Sequence, residues 1–294
     1  MPIRFEIVRI AQTAFLFITS LFVSSALAQE SEASFFINNS QRHEIASETL
    51  GRSYEVFVKT PAGYNDPENE NITYPVIYLN DGSYTFQVAS GVTHLPMGYS
   101  HRFERAILVG ISYALGEKGM PSRVRDFTPV KDERWKKYET GGAPAYLKFL
   151  EEEVFPFVER NYRANPERRI LSGQSLGGSF GVWVLFERPD LFSSYILTSP
   201  TLWYKDKFVF DLEKQFAKNH DDLKAKVYLA VGELETVENG MRNAMVAQLL
   251  ELEEVLRGRN YPGLDMNVEV ISGALHETTF PQAFTRGAHW ILGR

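Results

Sequence analysis

Gly173-Gln174-Ser175-Leu176-Gly177 lies between the apolar run Arg169-Ile170-Leu171-Ser172 and a helix-like stretch from Gly178 to Phe186. A serine hydroxyl is a weak nucleophile. A protein that uses one holds it on a sharp strand-to-helix turn, exposed to a base and beside a backbone donor. Glycines two residues to either side relieve the crowding at such a turn. The bare G-x-S-x-G pattern carries little information, but a strand before it and a helix after it are the context the chemistry requires. The segment reads as a nucleophile elbow with Ser175 at its tip.

The chain has 294 residues and is 44% hydrophobic, enough for one large α/β domain with a substantial core. Residues 1–28 stand apart. Arg4 and Arg9 precede an apolar run from Ala11 to Ala28 that closes on Ala26-Leu27-Ala28, the form of a signal peptide with an A-x-A cleavage site. Thr13, Thr19, Ser20, Ser24 and Ser25 dilute the run, which favours cleavage after Ala28 over a retained membrane anchor. The mature chain is then residues 29–294, periplasmic or secreted, with no stable membrane insertion. The absence of cysteine excludes disulfides, thiolate metal sites and cysteine nucleophiles together. The formal charge is −6, and loss of Arg4, Arg9 and Glu6 with the leader leaves −7, which disfavours general nucleic-acid binding.

Alternation in Tyr54-Glu55-Val56-Phe57-Val58-Lys59 predicts an N-terminal hairpin partly facing solvent. Later strands read as continuous apolar runs, as expected where both faces are covered: Val76 to Leu79, Ala106 to Val109, Tyr195 to Leu197, Val227 to Val231 and Val268 to Ile271. Helical spacing predicts helices over Ala143 to Arg160, with a kink at Pro156, and over Asn239 to Arg257, with Val246, Leu249, Leu250 and Leu256 as the buried stripe. Gly63 to Asn71 and Glu117 to Gly142 read as surface loops. Alternating strands and helices imply a mainly parallel sheet with its site at the carboxyl ends of the strands.

A nucleophile at Ser175 needs a base and an acid downstream, in the order serine, acid, histidine. His276 follows the last predicted strand behind Ser272-Gly273-Ala274, where a loop can carry an imidazole to the serine. His289 reads as a packing residue, His43 precedes the core, His220 lies in a polar loop, and His94 and His101 fall in a segment that would overhang the site. The acid should follow Val227 to Val231; Glu235 is preferred, with Glu233 and Glu238 as alternatives. Acyl transfer also needs two backbone donors for the oxyanion. Leu176 supplies one, and the second comes from the loop Asn80 to Tyr84, with Ser83 or Tyr84 as the candidate. His276-Glu277-Thr278-Thr279-Phe280 lacks the second histidine of a zinc helix, and no Gly-rich loop ends in Lys-Ser or Lys-Thr, so neither metal nor cofactor is implied.

Together these segments resemble the esterase family of α/β hydrolases that includes siderophore esterases, feruloyl esterases, S-formylglutathione hydrolases and mycolyltransferases. The resemblance spans nearly the whole mature chain. It rests on Tyr74-Pro75-Val76-Ile77-Tyr78-Leu79-Asn80-Asp81-Gly82, Arg123-Val124-Arg125-Asp126-Phe127-Thr128-Pro129, Gly173 to Gly178 and Ser199-Pro200-Thr201-Leu202-Trp203-Tyr204. It implies an α/β-hydrolase fold, a serine carboxylesterase acting on a small-molecule ester, and a triad at Ser175, Glu235 and His276. Within the family the chain looks most like the exported siderophore-esterase branch, some members of which work with little help from an acid.

Seven basic residues, Lys118, Arg123, Arg125, Lys131, Arg134, Lys136 and Lys137, against Asp126, Asp132 and Glu133 give a local excess of +4, readable as a rim for anionic esters or as internally paired charges. Tyr84, Phe86, Trp135, Tyr138, Trp203 and Tyr204 offer stacking surfaces for an aromatic acyl group, with Tyr84 and Trp203 as the chosen substrate contacts. An acyltransferase using the same residues, and a binding protein that kept the fold, are the rival readings.

Overall fold

The computed structural model describes residues 36–95 and 102–294. The leader and its cleavage site lie outside the described residues, as does His101. An eight-stranded sheet has the order β1-β2-β4-β3-β5-β6-β7-β8. Its strands are β1 (Ser40–Ser47), β2 (Arg52–Lys59), β3 (Tyr74–Leu79), β4 (Ile107–Ala114), β5 (Ala164–Gln174), β6 (Ser194–Thr198), β7 (Ala225–Gly232) and β8 (Leu264–Ile271). The β1–β2 and β2–β4 pairs are antiparallel, and every pairing from β4 to β8 is parallel. The mainly parallel sheet is the one that the strand and helix alternation implies, and the whole is the α/β-hydrolase fold implied by the family resemblance.

Burial follows position in the sheet. All residues of β3 and β6 are buried, whereas in β1 only Ser47 is and the rest are half-buried or exposed. Successive residues of β3 feed opposite cores: Val76 and Tyr78 pack with one cluster, Ile77 and Leu79 with the other. The smaller cluster takes in Phe86 of α1 (Gly82–Val92) and Phe280, Ala283 and Phe284 of α8 (His276–Leu292). Against the other face lie α5 (Leu176–Glu187), apolar on every side and correspondingly buried, and α7 (Met245–Arg259).

Several expectations change. β8 is the sheet edge, so Val270 is exposed, and the strand is not covered on both faces. Residues 143–160 are helical throughout, as expected, but with a π turn inside the helix in place of a simple kink. They divide into α3 (Ala143–Phe149), a π turn (Leu150–Val154) and α4 (Phe155–Asn161). Proline at the start of α4 lacks the donor that would continue the ladder, and the wider turn takes up the loss. The buried stripe of α7 is Met245, Leu249, Leu252 and Leu256; Leu250 is exposed. Within the predicted loop 117–142, Gly119–Phe127 forms a helix, α2, whose charges are buried because they are paired. Arg125 bonds Asp126 at 2.8 Å, and Tyr54 donates to the same carboxylate at 2.8 Å. Among the described residues, no helix is long and apolar enough to cross a membrane.

Candidate active site

β5 delivers Ser175 at the carboxyl edge of the sheet. The backbone there has φ 58° and ψ −118°, a conformation that costs energy for a residue with a side chain and that turns the strand into α5 within one residue. Three backbone-to-backbone hydrogen bonds fix it. Ser175 N–H donates to Thr198 at 3.0 Å, and its carbonyl accepts from Ser179 at 2.9 Å and Thr201 at 3.2 Å. Gly173 is required by close approach, since a Cβ there would meet the Gly177 carbonyl oxygen at 2.3 Å.

Beyond β6 lies β7, and Glu235 sits three residues past its end, fully buried. Its Oε2 meets His276 Nδ1 at 2.6 Å. Its Oε1 accepts from Ser199 Oγ at 2.6 Å, Gly232 N–H at 2.8 Å and Thr279 Oγ1 at 2.9 Å. Burial pushes the Glu235 carboxyl up, but the hydrogen bonds from His276, Ser199 and Gly232 outweigh it and hold the group below the ordinary glutamate value. With Nδ1 donating to Glu235, His276 keeps Nε2 as the acceptor. Glu233 and Glu238 do not meet His276. Glu233 bonds Ser272 Oγ at 2.9 Å and Gly273 N–H at 2.8 Å on the surface, and Glu238 is held by its own loop.

The imidazole and the elbow are tied through backbone. Gln174, the residue before Ser175, donates its side-chain amide to the His276 carbonyl at 2.5 Å. The Ser175 hydroxyl lies 3.4 Å from Thr201 Oγ1. On the other side of β5, the loop after β3 approaches α5: Asn80 Nδ2 reaches the Gly177 carbonyl at 3.4 Å, and Asp81 takes Arg123 in a fork at 2.8 and 3.0 Å. Ser83 lies in the first turn of α1, beside Tyr84, which is 40% exposed and packs on Phe280 at 5.6 Å. Trp203 stacks on Trp135 at 6.2 Å with the planes 12° apart, and Tyr204 donates to the Val130 carbonyl at 2.7 Å.

The sequence had not singled out Thr201, Ser199, Thr279, Gln174 or the Asp81–Arg123 pair as parts of the site. A usable signal existed for Ser199 and Thr201, because residues just past the end of a parallel strand gather at one edge. The basic segment is largely paired: Arg123 with Asp81, Arg125 with Asp126 and Glu117, Lys131 with Glu133, and Arg134 with Asp132 and Asp206. Four of its seven basic residues are thus held in internal ion pairs. His94 does not overhang Ser175. It follows the far end of α1, an 11-residue helix about 16 Å long, and lines a separate cavity of about 270 Å³ with Lys59 and Thr93. His289 packs on Phe103 at 5.1 Å, and His220 stacks on Phe216 at 4.1 Å. Among the described residues, no group of three or more His, Asp or Glu side chains is arranged to hold a metal ion.

The sequence model of the family described as "Putative esterase" matches residues 47–291. A ferri-bacillibactin esterase, BesA, of Bacillus subtilis (strain 168) is 29% identical over 275 residues, which is 88% of this chain and 91% of that protein. The crystal structure of a BES protein from Bacillus cereus superposes with a TM-score of 0.77 at 27% identity, covering 90% of this chain and 98% of that one. Siderophore hydrolase EstB from Aspergillus nidulans gives a TM-score of 0.76 at 25% identity, covering 89% and 98%.

Proposed function

The chain belongs to this esterase family of α/β hydrolases and is a carboxylic ester hydrolase, and from that premise we propose that Ser175, His276 and Glu235 are its catalytic triad and that its substrate is a siderophore lactone or an aromatic acyl ester. Ser175 Oγ leaves Thr201 and attacks the ester carbonyl while His276 Nε2 takes its proton. Glu235 holds the ring through Nδ1 and stabilises the imidazolium that forms. The Leu176 and Ser83 N–H groups meet the oxyanion. His276 then returns the proton to the leaving alcohol, and water repeats the sequence to release the acid and restore Ser175.

The observation that carries this reading is the 2.6 Å contact between His276 and a buried Glu235, on a histidine tied by Gln174 to the elbow itself. The substrate class rests on what the relatives are named for and on Tyr84 and Trp203, which offer aromatic surface near Ser83 and Thr201. Export by cleavage after Ala28, leaving one domain over residues 29–294, completes the proposal. It rests on the charged and apolar pattern of the leader.

Labelling with a fluorophosphonate, mapped by mass spectrometry, tests the site directly. A single adduct on Ser175, with turnover of p-nitrophenyl butyrate and of a tricatecholate trilactone, is the expected result. A folded protein that takes no label and turns over neither ester would sink the assignment.

A further inference from the structure

Asp81 stands at the N-cap of α1, where an aspartate ordinarily accepts a hydrogen bond from an N–H in the first turn of its own helix. Here it makes no such bond. Its backbone is left-handed, with φ 57° and ψ 41°, and its carboxylate is turned to the guanidinium of Arg123 on α2, a pair almost wholly buried. Asp81 is therefore an N-cap residue whose capping group is engaged elsewhere.

The surroundings make that arrangement specific. Gly82 follows at a point where a Cβ would meet the Gly110 backbone at 2.7 Å, so the loop is pressed on β4. The Asp81 carbonyl accepts from Tyr84 at 2.9 Å and Thr85 at 3.1 Å, leaving the Ser83 amide as the first-turn donor that its side chain would otherwise cap. Arg123 also reaches across to the elbow, with Nη2 3.4 Å from the Gln174 carbonyl. A Cβ placed on Gly177 would lie 3.3 Å from Asp81 Oδ2, so this carboxylate is against the first turn of α5. Its charge is felt on β4: burial and then Asp81 push the Tyr113 hydroxyl up to about 12.

We propose that Arg123 is a positioning residue for the oxyanion site, holding the Asp81 carboxylate off its own helix so that the Ser83 amide stays open to the reacting carbonyl. The same fork neutralises a carboxylate that would otherwise face the developing oxyanion, and it fixes the distance between the β3 loop and the elbow. Loss of Arg123 releases the Asp81 carboxylate, and a turn of its backbone from the left-handed to the extended region lets it cap Ser83. The donor is then occupied, and a negative charge with the Tyr113 hydroxyl but no cation beside it stands next to the site. Arg123 touches no reacting atom in this scheme; it acts through Asp81 and Ser83. The inference rests on the esterase reading above.

The test compares wild type, Arg123→Met and Arg123→Lys in p-nitrophenyl butyrate hydrolysis, inhibition by phenylboronic acid, thermal unfolding and amide hydrogen exchange. In Arg123→Met, kcat should fall about 100-fold, the range for loss of an oxyanion donor, with KM within about threefold. Boronate affinity should fall in parallel, because its tetrahedral adduct uses the same donors. Exchange at the Ser83 amide should slow, since a freed Asp81 now caps it. Arg123→Lys keeps the charge without the fork, and its kcat should lie between the two. A faster Ser83 exchange and a lowered melting temperature with kcat near wild type would show a brace for the fold only and overturn the proposal. Failure of both variants to fold would do the same. A wild type that neither hydrolyses ester nor takes the fluorophosphonate would remove the esterase reading itself, whereas active wild type with fully active variants removes only the role of Arg123.

Discussion

Glu235 and Asp81 are both buried carboxylates at the carboxyl edge of the sheet, on opposite sides of the strand that carries Ser175, and they are handled in opposite ways. Glu235 accepts four hydrogen bonds, and the one at Oε2 comes from an imidazole that can gain and lose charge. Asp81 is matched to a guanidinium that stays charged at every accessible pH. The first arrangement suits a group that, in the proposed mechanism, answers to a charge appearing on His276 during each turnover. The second suits a group whose own charge must be kept from acting on the chemistry next to it. Two carboxylates of similar burial thus take different roles from the permanence of their partners' charge.

The largest effect expected is at the group between them: Ser175→Ala should lower kcat about 10⁶-fold with the melting temperature little changed, by steady-state assay with purified protein. Glu235→Gln should cost about 10⁴-fold in kcat if the acid side works as described, because the amide presents a donor or a weaker acceptor to His276. A loss below about tenfold would place this chain with siderophore esterases that need little from the acid, and would leave the Asp81 side as the more demanding of the two. Arg123→Met, at about 100-fold, falls between these outcomes. Ser199→Ala removes one of three donors to Oε1 and should cost about 1–2 kcal/mol of stability and a few-fold in kcat, read by urea unfolding and assay.

The sign of the pH dependence sharpens the same contrast. The Glu235 carboxyl is held below its ordinary value, so its contribution to stability is fully present above the pKa of an unfolded glutamate and is lost as pH falls through the lower, folded one. The melting-temperature gap between wild type and Glu235→Gln should therefore be widest near neutrality and shrink with acidification. Trp203→Ala is expected to be the mildest change, raising KM about threefold for an aromatic ester and leaving that for an acetyl ester unchanged; equal effects on both would remove Trp203 from the substrate contacts.

The parallel strands were legible because both their faces are covered, which writes a continuous apolar run into the chain. The turn at Ser175 and a histidine placed to meet an acid were legible because each follows a strand end. α2 was not. Its segment is dense in charge, and charge density ordinarily marks a solvated loop; only the partners Tyr54, Asp81 and Glu117, 42 to 72 positions away in the chain for the first two, make its burial affordable. The stripe on α7 slipped for a related reason, since Val246, Leu249, Leu250 and Leu256 and the observed Met245, Leu249, Leu252 and Leu256 differ by a small rotation about the helix axis, which packing selects and periodicity does not.

The sequence by itself determined the mainly parallel sheet, the elbow at Ser175 and the residue types available for acid and base, because these depend on local pattern and on which side chains can do the chemistry. Only the tertiary structure decided that Glu235, and neither Glu233 nor Glu238, meets His276, and that Asp81 gives its carboxylate to Arg123 and not to its own helix. A hydrogen bond is settled by distances of a few tenths of an ångström between residues far apart in the chain, and those distances exist only once the sheet has brought its strand ends to one edge.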